Sequence, residues 1–234
     1  MKRVCVVVPT GGARLGDDER LALSHLERFL GRYDRCSIGG SVDGLERKRF
    51  PGRYFRNPVT YSRLLLSRRF YEAFAEYEYV LVHQLDALVF RDELEDWCER
   101  GLDYVGAPWL PGESAPFVTE PAVGNGGLSL RRVAAFLDVL EAAGERHARR
   151  WVAGKTESEF EAHEDLFWSF EARRFKPDFR IATVEEALGF AFEVEPRRAF
   201  ELAGGRLPFG AHAWAKYDRA FWEPFLDEEE TARS

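Results

Sequence analysis

Tyr79-Val80-Leu81-Val82-His83-Gln84-Leu85-Asp86, followed by Ala87-Leu88-Val89-Phe90, is an apolar run interrupted by one polar cluster that ends on a carboxylate. Consecutive apolar, β-forming residues mark a strand buried on both faces, as in a parallel sheet covered by helices. Asp86 then stands just beyond the strand's C-terminal end. A carboxylate delivered there needs a metal, a base or a set of backbone donors, because an unpaired buried charge costs several kcal/mol or shifts its pKa. In open α/β sheets ligands collect outside the carboxyl ends of the strands. The run therefore places a strand and a candidate site together.

The flanking sequence repeats this logic. Val4-Cys5-Val6-Val7-Val8 reads as a second buried strand and opens into Pro9-Thr10-Gly11-Gly12. Leu21, Leu26, Phe29 and Leu30 recur at helical spacing before a Gly31 stop, and Arg35 to Ile38 makes another strand ending at Gly39-Gly40. Strand, helix, strand in that order predicts a βαβ unit with a right-handed crossover. Glu46 to Pro58 reads as loop, and Tyr61 to Tyr77 as one helix with Leu65, Phe70, Phe74 and Tyr77 on its apolar face. Beyond Asp86 the pattern predicts a helix at Glu93–Arg100, a strand at Tyr104–Gly106, and a strand at Gly127–Leu130. A long helix through Val133, Phe136, Leu137 and Leu140 and a helix at Asp165–Phe175 complete this part. Pro108 to Val123 holds four prolines and no period, which suits a mobile active-site loop. Arg180 to Thr183 reads as extended and Leu207 to Trp214 as an ordered aromatic loop. The acidic residues 226–234 read as a frayed tail, leaving one α/β domain over residues 1–225.

Composition narrows the function. The chain has 234 residues, 45% hydrophobic, with net charge −7 and a pI near 5.4, which argues against a dedicated nucleic-acid binder. Cys5, Cys36 and Cys98 show no disulfide or metal-ligand spacing. No run approaches the roughly 20 apolar residues of a membrane span, and no signal peptide is visible. A cytoplasmic protein with no membrane span is the expectation.

Two further polar segments join Asp86. Gly124-Asn125-Gly126-Gly127-Leu128-Ser129 sets three glycines before a strand, where backbone can approach a ligand closely or simply turn. His163-Glu164-Asp165 precedes Leu166-Phe167-Trp168 at a helix start, where free N–H groups stabilise anions and where Asp165 can also serve as an ordinary cap. Trp109, Trp168 and Trp214 lie beside these motifs and suit either sugar stacking or the core.

Gln84-Leu85-Asp86-Ala87 with Val89-Phe90-Arg91-Asp92-Glu93-Leu94, Tyr104 to Trp109, Val123 to Arg131, Glu164-Asp165 and Leu207 to Trp214 together resemble a bacterial family labelled as a domain of unknown function. That family is similar to nucleotide-sugar glycosyltransferases of the GT-A fold, and the resemblance runs from about Val4 to Phe225. It implies a single GT-A-like (Rossmann-like) α/β domain with a mixed, mainly parallel central sheet flanked by helices. It also implies sugar transfer from a nucleoside-diphosphate donor to an acceptor hydroxyl on a glycan or small molecule. GT-A enzymes generally hold a divalent metal on an Asp-x-Asp motif, and here Gln84 replaces the first aspartate. The resemblance accordingly implies Mn²⁺ or Mg²⁺ on Asp86, with His212 as a second ligand. Pro9, Thr10, Gln84, Asp86, Gly124, Asn125, Gly126 and Gly127 would contact the donor. Asp165 would act as general base and Glu164 as acceptor ligand in an inverting reaction, in glycan or polysaccharide assembly. Two rival readings stand beside this one. A sugar nucleotidyltransferase is suggested only by Gly11 to Leu15, and a non-catalytic nucleotide-sugar-binding or glycan-binding module draws support from the missing carboxylate at Gln84.

Overall fold

The computed structural model describes residues 1–12, 14–112, 115–153 and 163–231. Strand β1 (Lys2–Thr10), helix α1 (Asp17–Leu30), strand β2 (Asp34–Gly39) and strand β3 (Glu46–Lys48) open the chain. β3 and a 3₁₀ turn at Gly52–Phe55 lie within the segment expected to be loop. The expected helix over 61–77 is broken into α2 (Pro58–Leu65) and α3 (Arg68–Glu72). Asn57 starts α2 by accepting from Thr60 N at 2.9 Å, with Pro58 at the first helical position. Ser67 separates the pair with an extended backbone (φ −121°, ψ 139°), and its hydroxyl donates to the Leu64 carbonyl at 2.6 Å.

Next come β4 (Tyr77–His83), β5 (Leu88–Val89), α4 (Leu94–Glu99), β6 (Tyr104–Val105), β7 (Pro108–Trp109) and β8 (Ala122–Val123). β9 (Leu128–Arg132), α5 (Val133–Ala143), α6 (Glu145–Ala153), α7 (Glu164–Phe170) and α8 (Ala172–Phe175) follow. The remainder is α9 (Val184–Phe190), β10 (Ala191–Phe192), α10 (Pro196–Leu202), β11 (Gly210–Ala211) and α11 (Trp214–Thr231). Residues 108–123, expected to be a mobile loop, are closed by the antiparallel pair β7–β8 and packed on Trp109, Ala115 and Val118. Helix α11 runs across residue 225, and Leu226 packs against the neighbouring apolar cluster. Residues 232–234 lie outside the described ones.

The central sheet has strand order β3-β2-β1-β4-β9-β6. The first four strands are mutually parallel, β9 is antiparallel to β4, and β6 is antiparallel to β9. This mixed, mostly parallel sheet flanked by helices matches the expected class. Side chains alternate across it. Cys5, Val7, Val80 and Val82 meet Leu64, Phe70, Phe136 and Trp168, while Val4, Val6, Tyr79 and Leu81 meet Leu26, Leu30, Leu94 and Trp97. Each fully buried aliphatic side chain contributes roughly 1.5–3 kcal/mol of transfer free energy. A small sheet of order β10-β11-β5 carries α11 through Trp214, Phe221 and Trp222. Register sets the position of the strand ends. Thr10 pairs with Gly39 and Val7 with Val82, so the C-terminal ends of β1, β2 and β4 finish on one rim.

Candidate functional site

The rim opens into a cleft of about 420 Å³. Pro9, Thr10 and Gly11 form its floor beyond β1, and Gln84, Leu85 and Asp86 its side beyond β4. Phe55, Arg56, Asn57 and Tyr61 supply the opposite wall, and α1 contributes Glu19. The floor is tight because Gly40 N donates to the Thr10 carbonyl at 3.1 Å while Gly40 lies against Gly12, where a Cβ would overlap the Gly12 backbone. The sheet topology thus brings Pro9, Thr10, Gln84 and Asp86 together, as anticipated for donor contacts. Sequence reading gave no role to the Phe55–Tyr61 wall. Its signal was weak, since aromatic residues scattered through a Gly/Pro/Arg stretch have no periodicity.

Asp86 leaves β4 in a turn closed by Ala87 N donating to Gln84 O at 3.0 Å, and its side chain is 53% exposed. His212, at the end of β11, reaches it: Nε2 lies 3.3 Å from Asp86 Oδ1 and 3.2 Å from Gln84 Oε1. The other ring nitrogen, Nδ1, is 2.9 Å from Oε1 of Glu193. Glu193 is buried, and its second oxygen accepts from Asn125 Nδ2 at 2.7 Å. Burial works against a charged His212 ring, but the bonds to Asp86 and Glu193 outweigh it and push the pKa up to about 10. Burial would likewise raise Asp86, and the His212 contact outweighs it and holds that carboxyl below its usual range. Ala213, directly after the histidine, adopts a left-handed φ of 48°, uncommon for a residue with a side chain and a local strain beside the site.

The glycine loop serves this arrangement from behind. A Cβ on Gly127 would overlap the His212 ring, one on Gly124 would overlap Ser169, and one on Gly126 would press on Glu164. Gly124, Asn125, Gly126 and Gly127 stand behind His212, outside the lining of this cleft.

Glu164 and Asp165 lie beside the same loop. Glu164 Oε1 accepts from Nη2 of Arg131 at 2.9 Å, and Oε2 from Ser62 Oγ at 3.2 Å. Arg131 is fully buried and also donates to Ser129 Oγ at 2.9 Å and Tyr71 Oη at 3.2 Å. Asp165 is 8% exposed and accepts from Gly126 N at 3.1 Å and Leu166 N at 2.8 Å. Burial, then the charges of Glu164 and Glu193, push its pKa up to about 8. Through these bonds both carboxylates hold the glycine loop from behind. Trp109, Trp168 and Trp214 are all buried in the core. Arg131 escaped sequence reading because a strand-end arginine is normally solvent-facing. Glu193 carried a usable signal, a carboxylate directly after Ala191-Phe192, the pattern that singled out Asp86.

The donor set fits a divalent cation of the open kind. Two oxygens, from Asp86 and Gln84, converge on an imidazole nitrogen whose ring is fixed from its other side by a carboxylate. Such a set leaves coordination positions for water and phosphate oxygens, as Mg²⁺ and Mn²⁺ require. Among the described residues no group of three His, Cys, Asp or Glu side chains is placed to hold a metal, so an ion here would rest on Asp86, His212 and the Gln84 amide together with water or phosphate. Also among them, no helix is long and apolar enough to cross a membrane.

A family described as "Protein of unknown function (DUF5672)" matches residues 44–212. No curated protein matches the chain. Among solved structures it is similar to a glycosyltransferase involved in the glycosylation of the major capsid of PBCV-1, at 12% identity, covering 97% of this chain and 99% of that one, with TM-score 0.57. It is similar to the galactosyltransferase LgtC solved with donor and acceptor sugar analogs, at 14% identity, 96% and 94% coverage and TM-score 0.60. The apo form of the glycosyltransferase GlyE of Streptococcus pneumoniae TIGR4 also aligns, at 14% identity, 100% and 64% coverage and TM-score 0.51. At these identities the likeness is one of fold, and the fold is the GT-A type.

Proposed function

We propose that this chain, which belongs to the DUF5672 family, transfers a sugar from a nucleoside-diphosphate donor to a hydroxyl of a glycan or small-molecule acceptor. The observation that carries the reading is the placement of Asp86 and Gln84 in the cleft beyond β1 and β4, with His212 against both of them. Phe55 and Tyr61, with ring centroids 6.5 Å apart, offer the nucleobase apolar faces on the opposite wall. Arg56, exposed at the same wall, offers a guanidinium to phosphate oxygens. A divalent ion held by Asp86, Gln84 and His212 would neutralise the departing diphosphate. The chain's own part is to bind and orient the donor, with the sugar directed along the Asp86 side of the cleft.

Asp165 and Glu164 are assigned to holding the loop, so the reading does not use them as base and acceptor ligand. The anomeric configuration of the product, followed by NMR, then decides between inversion and retention. The founding test is a panel of nucleotide sugars, each with and without Mn²⁺, scored by thermal shift and nucleoside-diphosphate release on wild type and Asp86→Ala. The expected result is stabilisation by one donor that needs Asp86, with slow release of its nucleoside diphosphate. Binding of a donor without turnover on any acceptor would favour a nucleotide-sugar-binding module, the reading to which Gln84 lends support. Indifference to every donor would remove both.

A further inference from the structure

Four groups beside the cleft form a chain in which each hydrogen bond dictates the direction of the next. It begins at a backbone N–H, which can only donate. Gly127 N donates to Asn125 Oδ1 at 3.0 Å, so the amide oxygen of Asn125 is committed and its NH₂ must point the other way. That NH₂ donates to Glu193 Oε2 at 2.7 Å. The remaining Glu193 oxygen, 2.9 Å from His212 Nδ1, can only accept, so Nδ1 must carry a proton. Nε2 is then the nitrogen turned toward Asp86 and Gln84, and a cation binding there would release the proton Nε2 holds toward them while Nδ1 keeps its own. Each member is buried: Asn125, Glu193 and His212 are at most 9% exposed, and Gly127 leaves just enough room for the ring. Asn125 is itself clamped, because Gly106 allows its backbone to pass close by and Asn125 N donates to Ala107 O at 3.2 Å.

We propose that Glu193 is a positioning residue that, through the polarity set by Gly127 and Asn125, presents His212 Nε2 as the nitrogen ligand of a divalent cation at Asp86. The inference rests on the metal-assisted reading of the site given above, and it deepens that reading with residues that touch neither donor nor ion. It also accounts for the otherwise costly burial of a carboxylate beside Asn125, since both Glu193 oxygens are used. Supporting groups of this kind typically alter metal affinity 10–100-fold.

The polarity makes a test that a merely structural role would fail. In Glu193→Gln the new amide has one oxygen, and Asn125 claims it. Its NH₂ then faces His212 Nδ1, which must accept, and the proton moves to Nε2, where it blocks a metal. Exchanging the two side chains, Asn125→Asp with Glu193→Gln, restores the direction. The carboxylate now at position 125 would accept from both Gly127 N and the amide at position 193. That amide's oxygen is left for Nδ1–H, and net charge is unchanged.

Mn²⁺ binding to the purified chain, without donor, would be titrated by EPR, with the nitrogen coupling of the bound ion read by electron spin echo. Wild type is expected to bind Mn²⁺ with a histidine nitrogen signal and Glu193→Gln to bind about 10–100-fold more weakly with that signal reduced. The exchanged double variant should return to within about threefold of wild type, because the same proton arrangement is restored. Equal binding by wild type and Glu193→Gln, or a double variant as weak as the single, would overturn the proposal. So would the absence of Mn²⁺ binding by wild type. In that last case donor stabilisation without metal would still sustain the transferase reading, so the two failures are told apart. Should Glu193→Gln not fold, Asn125→Asp alone, which sets two carboxylates against each other, takes its place in the same comparison with the double variant.

Discussion

Arg131 and Glu164 form an ion pair at 2.9 Å with almost no access to water. Such a pair adds little net stability, because desolvating two charges offsets their attraction, but losing one partner strands the other. Here Glu164 also accepts from Ser62, and Arg131 donates to Ser129 and Tyr71, so the network is complete only with all its members. Glu164→Ala is expected to lower unfolding free energy by about 3–5 kcal/mol in urea titrations. A loss of turnover with no loss of stability would instead point to the acceptor-binding role. His83 presents the opposite situation. It is fully buried, neither ring nitrogen has a hydrogen-bond partner, and burial drives its pKa down to about 4. The unfolded chain takes up that proton below about 6.5, the native state only near 4, so the unfolded state binds more protons between them. Stability from this group is full above pH 6.5 and declines as pH falls toward 4, by about 3 kcal/mol in total. Comparing denaturation of wild type and His83→Leu at pH 7 and at about pH 4.5 isolates it. The acid-side decline should be smaller in the variant by most of that amount.

At the scale of elements, α5 and α7 lock together through aromatic rings. Phe136 lies 4.2 Å from Trp168 and 4.9 Å from Tyr71, centroid to centroid, and it meets Tyr104 edge-on at 5.6 Å. Truncating Phe136 to Ala should cost about 3–5 kcal/mol, measured by denaturant midpoint, because the packed rings around it cannot collapse into the space. Since α7 carries Glu164 and Asp165 behind the glycine loop, the same substitution should loosen amide-exchange protection at Gly126 and Gly127. The turn between the 3₁₀ segment and α2 behaves differently, being exposed and tied mainly through the Asn57 cap. Arg56 belongs to that exposed turn, so Arg56→Ala should leave the melting temperature nearly unchanged and raise donor KM about tenfold, the size of one lost charge-assisted contact. Unchanged donor KM would remove Arg56 from the phosphate side of the cleft.

For the whole molecule, legibility followed the range over which information is stored. Val4–Val8, Tyr79–Val82 and Leu128–Leu130 were readable as buried strands because hydrophobic periodicity is local, and the βαβ opening followed from their spacing. Asp86 was readable as a site residue because a carboxylate after such a strand needs a partner. The break between α2 and α3 was not readable: Leu64, Leu65, Phe70 and Phe74 keep a helical stripe across it, while the backbone turns extended at Ser67. The prolines of 108–123 break any period, so the pairing of β7 with β8 and the burial of Trp109, contacts distant in sequence, were not readable.

The amino-acid sequence by itself determined the α/β class, the strands that build the sheet and the rim on which Thr10 and Asp86 emerge. Each of these depends on residues a few positions apart. The tertiary structure alone decided which polar groups meet. It joins Glu193 to Asn125 and His212, sends Glu164 to Arg131, and sets the glycines of 124–127 against the side chains of Ser169, Glu164 and His212. The reason is physical: a donor and an acceptor find each other according to where the backbone carries them, and the partners here lie 19 to 68 residues apart along the chain.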